Sequence, residues 1–175
     1  MMKMLSEGGL SVITDGLRNA DDDNPNGYFE LEAVKDLPKG NTAWLENAGG
    51  RAVKVVSYLL EFLPPKHSYK IIFLQRELSE VLISQQKMMA NRKEGNPISD
   101  EQMRQEFQTH LAAVKAWLAR QPNMEVLYLN FNFLMDNPEA FCSRVNEFIG
   151  IPLKIDRMVS IPDKALYRNR AAVKP

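Results

Sequence analysis

The run Tyr69 to Met89, YKIIFLQRELSEVLISQQKMM, constrains the fold more than any other part of the chain. Ile71-Ile72-Phe73-Leu74 is a short apolar block rich in β-branched and aromatic residues, which suits a strand buried on both faces. It stops at the polar break Gln75-Arg76-Glu77. The period then changes, and Leu78, Val81, Leu82, Gln85 and Met88 recur at helical spacing. A buried strand running directly into an amphipathic helix is half of a βαβ unit. In an open α/β sheet, ligands bind at the carboxyl ends of the strands, and Arg76 stands at that edge. Ser79 is the expected N-cap of the helix. Ser84 lies roughly 7.5 Å further along it. An arginine fork at a strand end, with a hydroxyl and a helix start nearby, makes an anion site. The competing reading pairs Arg76 with Glu77 or Glu80 on a solvated surface.

Two more strands are expected. Ala52-Val53-Lys54-Val55-Val56 is apolar but for Lys54, an ammonium that is costly there unless it reaches an anion or water; the alternative is an edge-facing or snorkelling lysine. Glu125 to Leu129 is the third. Helices are expected at Met1–Glu7, closed by Gly8-Gly9, at Tyr28–Leu37, closed by Pro38-Lys39-Gly40, and at Tyr58–Leu63, closed by Pro64-Pro65. Leu10–Ile13 reads as a short extended segment, and Asn41–Gly50 as a helical turn bearing Trp44. Ser99–Arg120 carries a capping box, Ser99 with Gln102, and a staple, Ile98 with Met103. Asn137, Pro138 and Gly150 bracket another helix with Phe141, Val145, Phe148 and Ile149 inward. Thr14–Asn26, with Asp21-Asp22-Asp23 and Asn24-Pro25-Asn26-Gly27, reads as a solvated loop.

Strands separated by helices imply parallel pairing and right-handed crossovers. The expected architecture is therefore a three-layer α/β domain, one domain over residues 1–175. Three strands are few for such a sheet, and the chain opens inside a helix, so a further N-terminal strand is expected to be missing.

Formal net charge is zero, so no bulk basic field points to nucleic acid. The single cysteine, Cys142, excludes an internal disulfide and a cysteine-based zinc site; beside the apolar stripe of its helix it reads as a buried, inert thiol. No apolar run approaches the roughly 20 residues of a membrane span, and MMKMLSEGGL lacks a signal-peptide core. A cytoplasmic protein is expected. Walker A, GxGxxG, HExxH and GxSxG motifs are not found in the sequence. His67 falls at the amino edge of the central strand and His110 beside an apolar helical stripe, so neither is an expected catalyst.

The order VKVVSYLLEFLPP, YKIIFLQRELSEVLISQQKMM, EVLYLNF, LMDNPEAFCSRVNEFIG resembles the sulfotransferase family, and in particular its bacterial branch. The resemblance runs from about Met1 to Arg170. It implies a P-loop-like α/β fold and 3′-phosphoadenosine 5′-phosphosulfate as sulfuryl donor, with a small-molecule acceptor and no metal. It assigns the donor's 3′-phosphate to Arg76 and Ser84. It places Lys54 near the sulfuryl group and the bridging oxygen. It sets Tyr167-Arg168-Asn169-Arg170 over the 3′-phosphate, with Arg168 or Arg170 as contact. The family's phosphosulfate loop joins its first strand to its first helix; this chain begins inside what resembles that helix, so the loop is expected to be missing as well. Many members carry a catalytic histidine two residues after the lysine, where this chain has Val56. Asp15, Asp22 and Glu30 are the carboxylates expected to face the acceptor, and one could act as base if desolvation raised its pKa.

The resulting expectation is a sulfotransferase domain moving a sulfuryl group to a hydroxyl or amine, with weak or no turnover from this chain alone, since one oxyanion donor is worth roughly 3 kcal/mol. The rivals are a non-catalytic nucleotide-binding or interaction remnant, and a P-loop nucleotide kinase, which the lack of a phosphate loop with lysine disfavours.

Overall fold

The structure, a computed structural model, describes residues 1–21, 24–91 and 99–166. Its strands are β1 (Val12–Ile13), β2 (Ala52–Val53), β3 (Tyr69–Gln75) and β4 (Met124–Asn130). Its α-helices are α1 (Met2–Glu7), α2 (Leu78–Asn91), α3 (Asp100–Leu118), α4 (Phe131–Asp136), α5 (Pro138–Ile149) and α6 (Ile155–Val159), with 3₁₀ segments at Glu32–Lys39, Ala43–Asn47, Ser57–Phe62 and Lys164–Leu166. The strand-to-helix change of period after Gln75 is therefore real.

Both pairings are parallel. β3 runs beside β4 from Tyr69↔Met124 to Gln75↔Asn130, and β1 beside β2 through Val12↔Ala52 and Ile13↔Val53. Among the described residues these are two two-stranded sheets rather than the single sheet expected. Two hydrophobic cores nevertheless use all three of β2, β3 and β4. Ala52, Ile72, Leu127 and Leu129 join one core, with residues of α1, α4, α5 and α6. Val53, Phe73, Met124 and Val126 join the other, with α3 and the 3₁₀ segments. This is the alternation of side chains across a pleated strand.

The strands are less buried than their apolar text suggests. In β3 only Phe73 is buried, while Lys70 and Leu74 are exposed; the expectation of burial on both faces does not hold, since the cover on each face is partial. β2 ends at Val53, so Lys54 follows the strand rather than interrupting it. Helix starts explain other differences. α2 begins at Leu78, which puts the expected cap Ser79 inside its first turn. Tyr28–Leu31 is not helical, because the Thr14 hydroxyl (2.9 Å) and the Asp15 amide (3.2 Å) both donate to the Glu30 carbonyl and draw that segment out. Helical turns resume only at Glu32 and end at Gly40, whose φ of 79° suits glycine.

Local signals that need no distant partner are met. The Ser99 hydroxyl accepts from the Gln102 amide at 3.3 Å, and the Ser99 amide donates to Gln102 Oε1 at 3.0 Å. The staple partner Ile98 lies outside the described residues. Pro138 opens α5 and Gly150, at φ 79°, closes it; Phe141, Cys142 and Val145 on its inner face are fully buried.

Candidate functional site

Two groups of polar side chains sit just beyond strand ends. The first surrounds Lys54. Its ammonium donates to Glu30 Oε1 at 3.1 Å and to the Tyr28 carbonyl at 3.2 Å. Arg18 approaches the same Glu30 oxygen at 3.5 Å and lies over the Tyr28 ring, its Cζ 3.3 Å from the centroid, a cation–π contact. Burial alone would raise the Glu30 carboxyl, but the hydrogen bond and charge of Lys54, helped by Arg18, outweigh it and hold Glu30 below its ordinary value. Lys54 therefore has the anion that its apolar surroundings require.

Asp15 belongs to the same region, since its amide donates to the Glu30 carbonyl. Its carboxylate accepts from the Glu32 amide at 2.6 Å and from the Leu17 amide at 3.0 Å. Those two hydrogen bonds, Glu32's first, lower its pKa. That direction is opposite to the one a carboxylate base needs near neutral pH. The third carboxylate candidate, Asp22, lies outside the described residues.

The second group surrounds Arg76, directly after β3. Its Nε donates to Glu80 Oε2 at 2.9 Å, and its guanidinium lies over the Phe131 ring, Cζ 5.1 Å from the centroid. Glu80 is only 1% exposed. The pairing with Glu80 read from sequence is present, but it is buried rather than solvated. Ser84 is half-buried on α2, four residues beyond Glu80. Residues four apart share a helix face with Cβ atoms about 5–6 Å apart, so the Ser84 hydroxyl stands one turn above the carboxylate that orients Arg76. Arg168 and Arg170 lie outside the described residues.

The structure thus unites Lys54, Glu30 and Asp15 in one region, and Arg76 and Ser84 in another. Nothing in the sequence marks Arg18, Tyr28 or Phe131 as site residues, and Glu80 reads there as a surface partner of Arg76. The spacing of Arg76 and Glu80 is a usable signal; the meeting of Tyr28 and Glu30 with Lys54, and of Arg18 with Glu30, leaves none, because it joins segments far apart in the chain.

A family model, that of the sulfotransferase domain, matches residues 34–170. The chain belongs to the sulfotransferase family. No curated protein and no solved structure gives a significant match. The sulfotransferase match spans Lys54, Arg76, Ser84, Arg168 and Arg170, whereas Asp15, Asp22 and Glu30 precede it. The sulfotransferase match therefore covers the basic residues and Ser84 but not the three carboxylates. Among the described residues, no helix is long and apolar enough to cross a membrane.

Proposed function

We propose that the chain is a single sulfotransferase domain that binds 3′-phosphoadenosine 5′-phosphosulfate and passes its sulfuryl group to a hydroxyl or amine of a small acceptor. The observation that carries this reading is Arg76 at the end of β3, steered by the buried Glu80 and by Phe131, with Ser84 on the same face of α2. A guanidinium held in one orientation and a hydroxyl a turn away suit a phosphate monoester. Two cores that share β2, β3 and β4 favour one three-layer domain of the P-loop-like kind. A reducing, cytoplasmic setting suits Cys142, a single buried thiol.

In this reading Arg76 and Ser84 hold the 3′-phosphate, and Arg168 or Arg170 closes over it. The donor, when bound, supplies an activated sulfuryl group. Lys54 offers its charge to the oxygen that leaves sulfur, so that transfer is won by positioning and charge stabilisation, as in phosphoryl transfer. Glu30 holds the Lys54 ammonium in place beforehand. Asp15, Asp22 and Glu30 remain on the acceptor side as carboxylates, with Asp15 and Glu30 held below the ordinary range.

Calorimetric titration with 3′-phosphoadenosine 5′-phosphate tests the nucleotide site. Micromolar affinity, about −8 kcal/mol, is expected, with most of it lost in Arg76→Ala. Equal affinity in the variant would exclude Arg76 as a contact. The Glu30–Lys54 ion pair favours a second reading, nucleotide binding without transfer, because it occupies the charge that the leaving oxygen needs. Sulfate transfer to a panel of hydroxyl and amine acceptors separates the two readings.

A further inference from the structure

Glu30 is fixed by its backbone and mobile by its side chain. The Thr14 hydroxyl and the Asp15 amide, just past the carboxyl end of β1, both donate to the Glu30 carbonyl, at 2.9 and 3.2 Å. The side chain crosses to Lys54, just past the end of β2, the parallel neighbour of β1. Its carboxylate therefore stands at the strand ends, where an open α/β sheet binds ligands. It stands there on a cation.

Both groups that accept from Lys54 have a way to leave it. Glu30 Oε1 lies 3.1 Å from Lys54 Nζ and 3.5 Å from Arg18 Nη1, and Arg18 is itself seated over the Tyr28 ring. A carboxylate shared unevenly between two cations passes from one to the other by side-chain rotation, with its backbone still pinned. The Tyr28 carbonyl, 3.2 Å from Lys54 Nζ, has a different release. Among the described residues Phe29 is the only non-glycine with positive φ, at 51°, and a bulky side chain is strained there. Rotating the peptide plane between Tyr28 and Phe29 turns the Tyr28 carbonyl away from Lys54 and carries that φ to the negative side. The strain is stored at the peptide whose rotation frees the ammonium.

We propose that Tyr28, Phe29 and Glu30 form a strained plug on Lys54, that the anionic phosphosulfate end of the donor displaces it, and that Arg18 receives the Glu30 carboxylate as it leaves. This rests on the sulfuryl-transfer reading above. Before the donor binds, the plug supplies Lys54 with an anion. It yields that place to a group bringing more negative charge than one carboxylate. A phosphosulfate does so, with a charge on each half; a chloride ion does not. Paired with Arg18, the displaced carboxylate does not face the incoming anion uncompensated. The Glu30–Lys54 pair and sulfuryl transfer are then compatible, because the pair precedes donor binding and the freed ammonium follows it.

Calorimetry on the full chain compares 3′-phosphoadenosine 5′-phosphosulfate with adenosine 3′-phosphate, which carries no 5′-anion. Glu30→Gln keeps the shape of the plug without its charge and should tighten donor binding about fivefold. Phe29→Gly removes the strain, makes the plug easier to hold and should weaken donor binding about threefold. Arg18→Ala should weaken it about threefold in the wild-type background and leave it unchanged in Glu30→Gln, where no charge needs a receiver. Adenosine 3′-phosphate should bind wild type and all variants alike. Donor affinity that is unchanged or weaker in Glu30→Gln overturns the proposal. An Arg18→Ala loss that persists in Glu30→Gln makes Arg18 a direct anion contact and overturns its role as receiver. Failure of wild type to bind either nucleotide overturns the sulfuryl-transfer reading instead. Inorganic pyrophosphate, titrated into wild type and Glu30→Gln, then decides the plug: tighter binding to the variant supports it, and equal binding overturns it.

Discussion

Arg76 and Glu80, four residues apart across the turn between β3 and α2, form an ion pair of 2.9 Å whose acidic partner is buried and whose basic partner reaches the surface. A carboxylate in that position steers the guanidinium.

Replacing Glu80 by Ala should therefore cost both stability and ligand affinity. Breaking a buried pair by removing one member costs about 3–5 kcal/mol, and partial exposure of Arg76 places this case nearer 2–3 kcal/mol. Urea unfolding measures the first effect and calorimetry with 3′-phosphoadenosine 5′-phosphate the second, expected at about tenfold. Unchanged stability would show that Arg76 does not depend on Glu80.

The Lys54–Glu30 pair makes stability depend on acid. The folded-state value of Glu30 lies below the ordinary 4.5. Its stabilising contribution is thus fully present above that ordinary value and is lost as the pH falls through the folded value. Lys54 is more than a third exposed, so screening limits the effect to about 0.5 kcal/mol. Urea midpoints of wild type and Glu30→Gln should differ at about pH 6 and converge towards about pH 3. A gap that does not change with pH would refute this assignment.

Cys142 is fully buried in α5, and burial, assisted by Glu139, pushes its thiol up to about 11. The reactive species is the thiolate. A disulfide reagent at about pH 8 should leave the native protein unlabelled and modify one thiol in denaturant. Rapid labelling of the native state would contradict the burial.

The end of α5 depends on Gly150 and Lys70. Gly150 sits at φ 79°, and Lys70 Nζ donates to the Phe148 carbonyl at 2.7 Å. Gly150→Ala should cost about 1 kcal/mol from backbone strain. Lys70→Ala should cost about 0.5 kcal/mol, because an exposed cation at a helix C-terminus contributes little. Thermal unfolding of the two variants checks this order, and the reverse order would place the anchor in Lys70.

The parts of the molecule legible in sequence are those whose cause is local. The switch of period after Gln75, the Ser99–Gln102 capping box and the Pro138–Gly150 bracket each lie within one element and its flanks, so neighbouring residues carry the signal. The Tyr28–Leu31 segment defeats that logic: its spacing is helical, but Thr14 and Asp15 claim the Glu30 carbonyl from a distant segment. The same limit applies to the site. Lys54 could be singled out because a cation within an apolar run is locally odd, and Arg76 because it stands at the expected end of a strand. Their partners differ: Glu80 is readable by spacing, whereas Glu30 meets Lys54 and Arg18, and His110 meets Ser57, only through the fold.

The parallel register of β3 and β4 has a kinetic consequence. Tyr69 lies opposite Met124 with α2 and α3 between them, so no hydrogen bond of this ladder can form until the whole crossover has been traversed. Loop-closure entropy opposes that step, and contacts of large sequence separation slow folding. α3, with its own capping box, can form early without it. The strand pair that carries Arg76 at its end is therefore expected to assemble late, and a folding intermediate would hold helices before it held an anion site.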